Sequence, residues 1–384
     1  MVTGVYYPEV SGGSFQCRQL INLLADRVKF SVVTTTNNPQ ITKRDQVDGV
    51  SVYRFYVEIG KIWSLLNATF RLILLFLRLQ RGFDIVHFHG FSRKSMLFMA
   101  LAKLFGKKSI IKLSSAGHDD PLAMQGRSRI IYWFYSLADC FVGPSPRFEK
   151  LYNSSSLQHE RFRLIPNGVN LEKFQPTEKK QQQELKQELK LPTGLLLILF
   201  VGHFSAEKSP NSLFDAWKER IAEELPVTGL VFVGATRSDH YEVDQELVEQ
   251  IQREVQYHKL RQRIVFVERT YEIEKYYQSA DIFVLPTIRE GLPNALLEAM
   301  ATGLPCIASR LEGITEGLLV HGVNGLLFPP GDVAALEENL ARVLKDSSLA
   351  RRLGSEARKT IEDRYSIEQV ASEYLEVYNS MLAT

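Results

Sequence analysis

The stretch Asp281-Ile-Phe-Val-Leu-Pro-Thr-Ile-Arg-Glu290-Gly-Leu-Pro-Asn-Ala-Leu-Leu-Glu298-Ala-Met-Ala-Thr-Gly-Leu-Pro305 reads in three parts. Residues 281–285 form a short apolar run that stops at a proline, the pattern of a buried strand. A loop follows with Glu290 and Gly291, and from Asn294 apolar residues fall at helical spacing. Strand, loop and helix in this order are the repeating unit of an α/β sheet covered on both faces. Amides at the head of a helix lack internal partners and carry partial positive charge, which suits an anion or hydroxyls. Gly291 lets a ligand approach the backbone, and Glu298, a turn into the helix, can accept two hydrogen bonds from a vicinal diol. Spacing alone leaves a second reading open, with Glu298 on the surface and Glu290 merely favouring the helix dipole.

The same unit recurs outward from this stretch. In the first half, 2–6, 30–35, 50–56, 84–89, 109–113, 140–143 and 163–165 read as strands, with helical patterns over 14–27, 62–81, 93–105 and 128–138. A Lys-, Gln- and Glu-rich segment, 177–190, then reads as a solvated helix beside a domain boundary. The alternation restarts with strands at 195–201, 230–233, 264–267, 281–285 and 306–308. Helices are expected around 211–224, 241–258, 272–278 and 294–301. The expectation is α/β, with two Rossmann-like doubly wound domains, 1–175 and 176–365, facing a central cleft. The amphipathic helix 366–384 returns to the first domain. Open sheets of this kind bind ligands beyond the carboxyl ends of their strands.

Composition narrows the function classes. The 384 residues carry 45% apolar and 23% charged side chains and a net charge of +2, so nothing global points to nucleic acid. Cys17, Cys140 and Cys306 are scattered in apolar or helical runs, with no disulfide or zinc spacing, which suits buried thiols in a reducing cytoplasm. Met1-Val-Thr-Gly-Val-Tyr-Tyr-Pro has neither the basic nor the long apolar region of a secretory signal. It reads as the end of a strand, which leaves either a short first strand or a late start. No Gly-x-Gly-x-x-Gly follows a strand, which argues against a nicotinamide dehydrogenase.

The segment around Glu290 and Glu298 closely resembles the E-x7-E signature of retaining GT-B glycosyltransferases of family 4. Further motifs follow in the expected order. Pro8-Glu-Val-Ser-Gly-Gly13 is similar to the family's N-terminal glycine loop, and Asp84-Ile-Val-His-Phe-His-Gly90 to its fourth strand. Leu164-Ile-Pro-Asn-Gly-Val-Asn-Leu-Glu-Lys-Phe174 resembles the interdomain segment, with Asn170 where aspartate is usual. Val201-Gly-His-Phe-Ser-Ala-Glu-Lys208 resembles the donor-phosphate loop, and Gly313-Ile-Thr-Glu-Gly317 and Asn324-Gly-Leu-Leu-Phe-Pro-Pro-Gly-Asp332 match late segments.

This resemblance implies roles residue by residue. Glu298 would hold the ribose hydroxyls, and Glu290 the donor sugar, with the amides of Gly291 and Leu292 nearby. Lys208 would neutralise the diphosphate, Gly12 and Gly13 would admit donor and acceptor, and His118 in Ser114-Ser-Ala-Gly-His118 would lie beside the reacting sugar. His203 stands where the family usually has arginine after the donor-loop glycine. An imidazole neutral near pH 7 binds phosphate less firmly than a guanidinium, which puts more weight on Lys208. Arg289 is a candidate to compensate. His87 and His89 alternate on one strand and read as structural or acceptor-side. No Asp-x-Asp triplet occurs, so no metal site is expected, and the co-substrate is a nucleoside-diphosphate sugar rather than a resident cofactor.

The implied reaction transfers a sugar to an acceptor hydroxyl with retention, in cell-surface polysaccharide or glycolipid assembly, on a sugar or lipid-linked sugar. The competing reading is a non-catalytic sugar-nucleotide-binding protein that kept the fold. Residues 62–81 suggest where such an acceptor is met. On a helix, Ser64, Asn67, Arg71, Arg78 and Arg81 fall along one stripe beside a broad apolar face. Two readings stand: a helix on an anionic membrane at the inner cytoplasmic face, or a helix packed on the sheet whose stripe faces water.

Overall fold

Leu196–Val201 (β9) starts a sheet whose strand order explains where the ligand chemistry of an α/β fold must sit. Five parallel strands join it: Thr228–Val233 (β10), Ile264–Val267 (β11), Ile282–Leu285 (β12), Cys306–Ser309 (β13) and Leu326–Phe328 (β14), in the order β11-β10-β9-β12-β13-β14. Ile282 and Phe283 of β12 pair with Ile198 and Leu199 of β9. The chain winds one way from β9 through β10 and the other way through β12. The loops after β9 and β12 are therefore neighbours at the carboxyl edge, where open sheets hold their ligands. This is a computed structural model; it describes residues 1–9, 11–58, 60–234, 236, 243–268 and 270–383, with every side chain but that of Arg93. Val10 of the glycine loop, residues 241 and 242 of the expected 241–258 helix, and residue 384 lie outside the described residues.

Period-2 alternation puts the strands' two sets of side chains into two cores. Ile198, Phe200, Leu230, Phe232, Ile282 and Val284 pack against the helices Pro210–Lys218, Gln245–Tyr257 and Val333–Lys345. Leu197, Leu199, Val231, Val233, Phe283 and Leu285 pack on the other face with Ile273–Ser279, Asn294–Ala301 and Ser347–Arg364. Burial on both faces is why these strands read as continuous apolar runs.

The other unit comprises 1–168 and 367–384, and this unit spans 169–366. The sequence boundary at 175 falls too late. Val169 donates its amide to the Tyr365 carbonyl at 2.9 Å, and Phe174 is fully buried against the Tyr277 ring at 5.8 Å. Residues 169–175 therefore belong with the second sheet.

Among the described residues the first unit has eight strands: Val2–Thr3 (β1), Ser31–Thr36 (β2), Arg44–Val47 (β3), Val50–Tyr56 (β4), Ile85–His89 (β5), Lys108–Lys112 (β6), Cys140–Gly143 (β7) and Phe162–Leu164 (β8). Their order is β3-β4-β2-β1-β5-β6-β7-β8, parallel except for the antiparallel β3–β4 pair. Strand β3 was not expected. It exists because Asp48 and Gly49 both adopt positive φ, 51° and 78°, the geometry of a two-residue hairpin that reverses the chain into β4. The helix Ile367–Leu382 lays Val370, Ala371, Tyr374 and Tyr378 against Leu20 and Leu24 of the helix Gly12–Leu24.

The 177–190 segment differs from its reading as a solvated helix. Lys179–Glu188 is helical, but Lys186 is 1% exposed and its Nζ lies 2.9 Å from Asp281 Oδ2 and from the Leu195 carbonyl. All three cysteines are buried and reduced.

Candidate active site

Lys208 Nζ lies 2.5 Å from Glu290 Oε1, with both side chains largely buried. The two residues come from the loops after β9 and β12, and several bonds fasten those loops together. The Ile288 amide and the Thr287 hydroxyl both donate to the Glu207 carbonyl at 2.8 Å. Thr287, fully buried, also meets the Arg289 carbonyl at 3.1 Å, and the Arg289 guanidinium pairs with the Glu207 carboxylate. Arg289 thus takes part in the latch through a half-exposed ion pair.

The Lys208 loop turns sharply: the Lys208 and Ser209 amides reach back to the Ser205 carbonyl at 3.2 and 3.0 Å, and Ser209 takes a left-handed φ of 52°. Gly202 sits beneath this turn, where a Cβ would stand 3.1 Å from the Phe200 ring and 3.8 Å from Lys208 Cγ. Gly234 is more constrained, since its φ is 147° and a Cβ would lie 2.0 Å from the Gly202 carbonyl oxygen. Glycine at both positions lets the ends of β9 and β10 close under the loop. His203 is half-buried at its start.

Gly291 and Leu292 are buried behind Glu290, and the helix Asn294–Ala301 begins with no side-chain cap. Glu298 on that helix is 8% exposed and accepts a hydrogen bond from the Tyr277 hydroxyl at 2.9 Å. Burial pushes its carboxyl up to about 7, against the pull of the Tyr277 hydroxyl and the Lys173 charge. Lys173 is itself paired with Glu274 at 3.0 Å. Buried carboxylates poised near neutrality concentrate at functional sites. The surface reading of Glu298 is therefore ruled out by its burial.

The second unit thus unites Lys208, Glu290, Gly291, Leu292, His203 and Glu298 at one sheet edge. The remaining expected residues lie in the first unit, at the carboxyl edge of its own sheet. Gly12 and Gly13 open the helix after β1, which Ser11 and Ser14 cap reciprocally at 3.2 and 2.7 Å. A Cβ at Gly13 would meet only Ser11 Oγ at 3.9 Å, so no internal packing requires glycine there. His118 is exposed in the loop after β6. That loop is held by Asp119, which is buried and accepts from the Ser114 and Ser115 amides at 2.9 and 3.0 Å and from the Ser114 hydroxyl at 2.7 Å. Asp120 caps the next helix through the Ala123 amide at 3.0 Å. His87 is buried and His89 partly buried, their rings stacked at 4.5 Å, and His87 Nδ1 lies 2.8 Å from the Tyr378 hydroxyl, which gives His87 a place in the core.

Residues 181–360 match the family model described as "Glycosyl transferases group 1", and residues 10–173 match "Glycosyltransferase Family 4". The chain belongs to the family 4 glycosyltransferases. Among its relatives is the UDP-Gal:alpha-D-GlcNAc-diphosphoundecaprenol alpha-1,3-galactosyltransferase of Escherichia coli, 27% identical over 345 residues, 86% of this chain and 85% of that protein. The fold of this family 4 glycosyltransferase is GT-B. Anabaena HepE, solved with UDP and glucose, superposes with a TM-score of 0.80 at 16% identity, covering 99% of both chains. Sucrose-phosphate synthase from Thermosynechococcus elongatus gives 0.81 at 22% identity, covering 100% of this chain and 99% of that one.

Sequence reasoning missed Thr287, Glu207 and Tyr277 in the glycosyltransferase's site, and gave Arg289 another role. Thr287 and the Glu207–Arg289 pair fasten the loops, and Tyr277 holds Glu298. Thr287 and Arg289 sit inside the quoted signature, but their partners lie 80 and 82 residues away in the chain.

Proposed function

We propose that this glycosyltransferase moves a hexose from a uridine-diphosphate sugar to a hydroxyl of a lipid-linked sugar, with retention and without metal, in the cytoplasm. The observation that carries the donor assignment is the Lys208–Glu290 pair, set by a hydrogen-bonded latch at the switch point of a parallel sheet. An ammonium beside a carboxylate matches a ligand with an anionic diphosphate next to a hydroxyl-rich sugar. The named donors and acceptor of the relatives support uridine and a lipid diphosphate carrier.

In the reaction, the bond from the anomeric carbon to the diphosphate oxygen breaks as the acceptor oxygen bonds to the same face of that carbon. The acceptor proton passes to the departing phosphate. Lys208 neutralises charge growing on that phosphate, by fixed electrostatics of a kind that contributes about 3 kcal/mol per donor in other enzymes. Glu290 orients the sugar through its hydroxyls, and Glu298 takes the ribose diol. His118 is assigned to the reacting sugar, and Gly12 and Gly13 to close approach of substrate. Metal independence is supported by the lysine and by the lack of an Asp-x-Asp triplet in the sequence.

A thermal-shift panel of UDP, GDP and ADP sugars in EDTA tests the donor. A ligand at 100 times its dissociation constant stabilises by roughly 2.7 kcal/mol. Selective stabilisation by a UDP sugar supports the reading, and a response only to GDP or ADP sugars, or only with divalent metal, removes it. The anomeric proton coupling of the product tests retention.

A further inference from the structure

The helix Ile62–Leu79 buries only a thin edge. Ala68, Leu72 and Phe76, one turn apart, are its buried residues, and the Phe76 ring packs with Phe83, Phe98 and Phe105 at 5.4, 5.7 and 5.8 Å. The opposite face carries Ile62, Trp63, Leu66, Phe70, Leu74 and Leu77, all exposed, with Trp63 at 80% and Phe70 at 62%. Exposed apolar residues in such number on one face mark an interaction surface rather than scattered exposure. Arg71 and Arg78 run along one flank, and Arg81 follows the helix. No acidic residue occurs between Ile62 and Gly82 to neutralise them.

The helix thus packs in the core through Leu72 and Phe76 with Arg71 and Arg78 exposed, as the packed reading expects, but its broad apolar face is the outer one. Length and hydropathy would let the segment cross a bilayer. Crossing would take Phe76 and Leu72 out of the core, so the helix lies on a surface instead. That surface must accept a broad apolar face and meet unneutralised cations, which describes an anionic phospholipid layer. A tryptophan at the helix head suits the headgroup boundary.

We propose that the Ile62–Leu79 helix is a membrane-docking element, lying flat on an anionic bilayer with Trp63, Phe70 and Leu74 inserted and Arg71, Arg78 and Arg81 at the lipid phosphates. The inference rests on this helix alone and stands apart from the donor chemistry.

The test is co-sedimentation of the full chain with phosphatidylcholine vesicles and with mixed phosphatidylcholine–phosphatidylglycerol vesicles. The chain sediments with the mixed vesicles, less so at high salt, and its tryptophan emission shifts to the blue; Trp63→Phe removes that shift. Arg71→Glu with Arg78→Glu lowers the partition constant by at least roughly 30-fold. Trp63→Glu with Phe70→Glu abolishes binding while circular dichroism stays unchanged, since both positions are exposed. No sedimentation with either vesicle overturns the proposal. So does binding that survives the double glutamate variant. A concentration-dependent dimer that this variant dissolves, without vesicle binding, assigns the face to a second copy and also overturns it.

Discussion

Lys208 Nζ and Glu290 Oε1 stand 2.5 Å apart although 82 residues separate them in the chain. Each is the other's counter-charge, so on the proposed donor reading a diphosphate must draw the ammonium away from the carboxylate. The two substitutions therefore have different signatures. Lys208→Ala lowers kcat roughly 10²- to 10³-fold, the scale seen when one preorganised charge-stabilising group is removed. Glu290→Gln frees the ammonium, so affinity for the bare nucleoside diphosphate is unchanged or raised while sugar transfer is lost. Calorimetry with UDP beside turnover of the UDP sugar separates the two.

Thr287 is the simplest test of the latch. Thr287→Val keeps the shape but removes a buried hydroxyl that meets the Glu207 and Arg289 carbonyls. A loss of about 1 kcal/mol in urea unfolding is expected, as for one net hydrogen bond. The donor KM rises more than kcat falls, because the variant loosens where Lys208 is held and leaves Lys208 itself intact.

Glu298 predicts a pH dependence with a definite sign. Its carboxyl is raised from 4.5 to about 7 by burial, so the folded chain holds a proton that the unfolded chain has released across that window. Stability contributed by this group is complete below pH 4.5 and falls as pH rises to about 7, by on the order of 3 kcal/mol. Glu298→Gln flattens that slope in denaturation measured at several pH values. Nucleotide affinity runs the other way, since a diol needs the ionised carboxylate. UDP binds more tightly at about pH 8 than at about pH 6, and the glutamine variant loses the difference.

Asp281 anchors the second sheet. It accepts from the buried Lys186 at 2.9 Å, from the Leu197 amide at 2.8 Å and from Gln182 at 3.1 Å. Asp281→Ala leaves an ammonium buried without its counter-charge and destabilises by about 3–5 kcal/mol. Lys186→Met, which removes the buried cation and keeps the packing, costs less. Urea midpoints of the two variants, at equal slope, check the order.

Much of this molecule was legible in the residues. Apolar runs such as Leu196–Val201 and Ile282–Leu285 are strands because both sheet faces are buried, and helical spacing located Asn294–Ala301 to the residue. The strand Leu326–Phe328 and the helices Val333–Lys345 and Ser347–Arg364 went unread, and other misses depended on partners distant in sequence or on turn chemistry. The hairpin into β4 is written in Asp48-Gly49, a local turn signal of two positive-φ residues. Lys186 looked solvated because its helix is polar, and only Asp281, 95 residues on, reveals the burial. The helix Ile62–Leu79 has the right periodicity for either orientation, so pattern alone could not say which face the core takes. The chemistry of Glu290 and Glu298 came from a family signature. Tyr277 and Thr287 carry no signature, and only the folded chain brings them to the site.

The most direct test of the account is UDP release from a UDP-hexose panel, with lipid-linked sugar acceptors from cell-envelope extract, for the wild-type chain and for Glu290→Ala and Lys208→Ala. The expected result is acceptor-dependent release from one UDP-hexose, lost in both variants while their folded structure persists. Tight binding of a UDP sugar with no turnover on any acceptor, in wild type as in the variants, would contradict it and mark the chain as a binding protein.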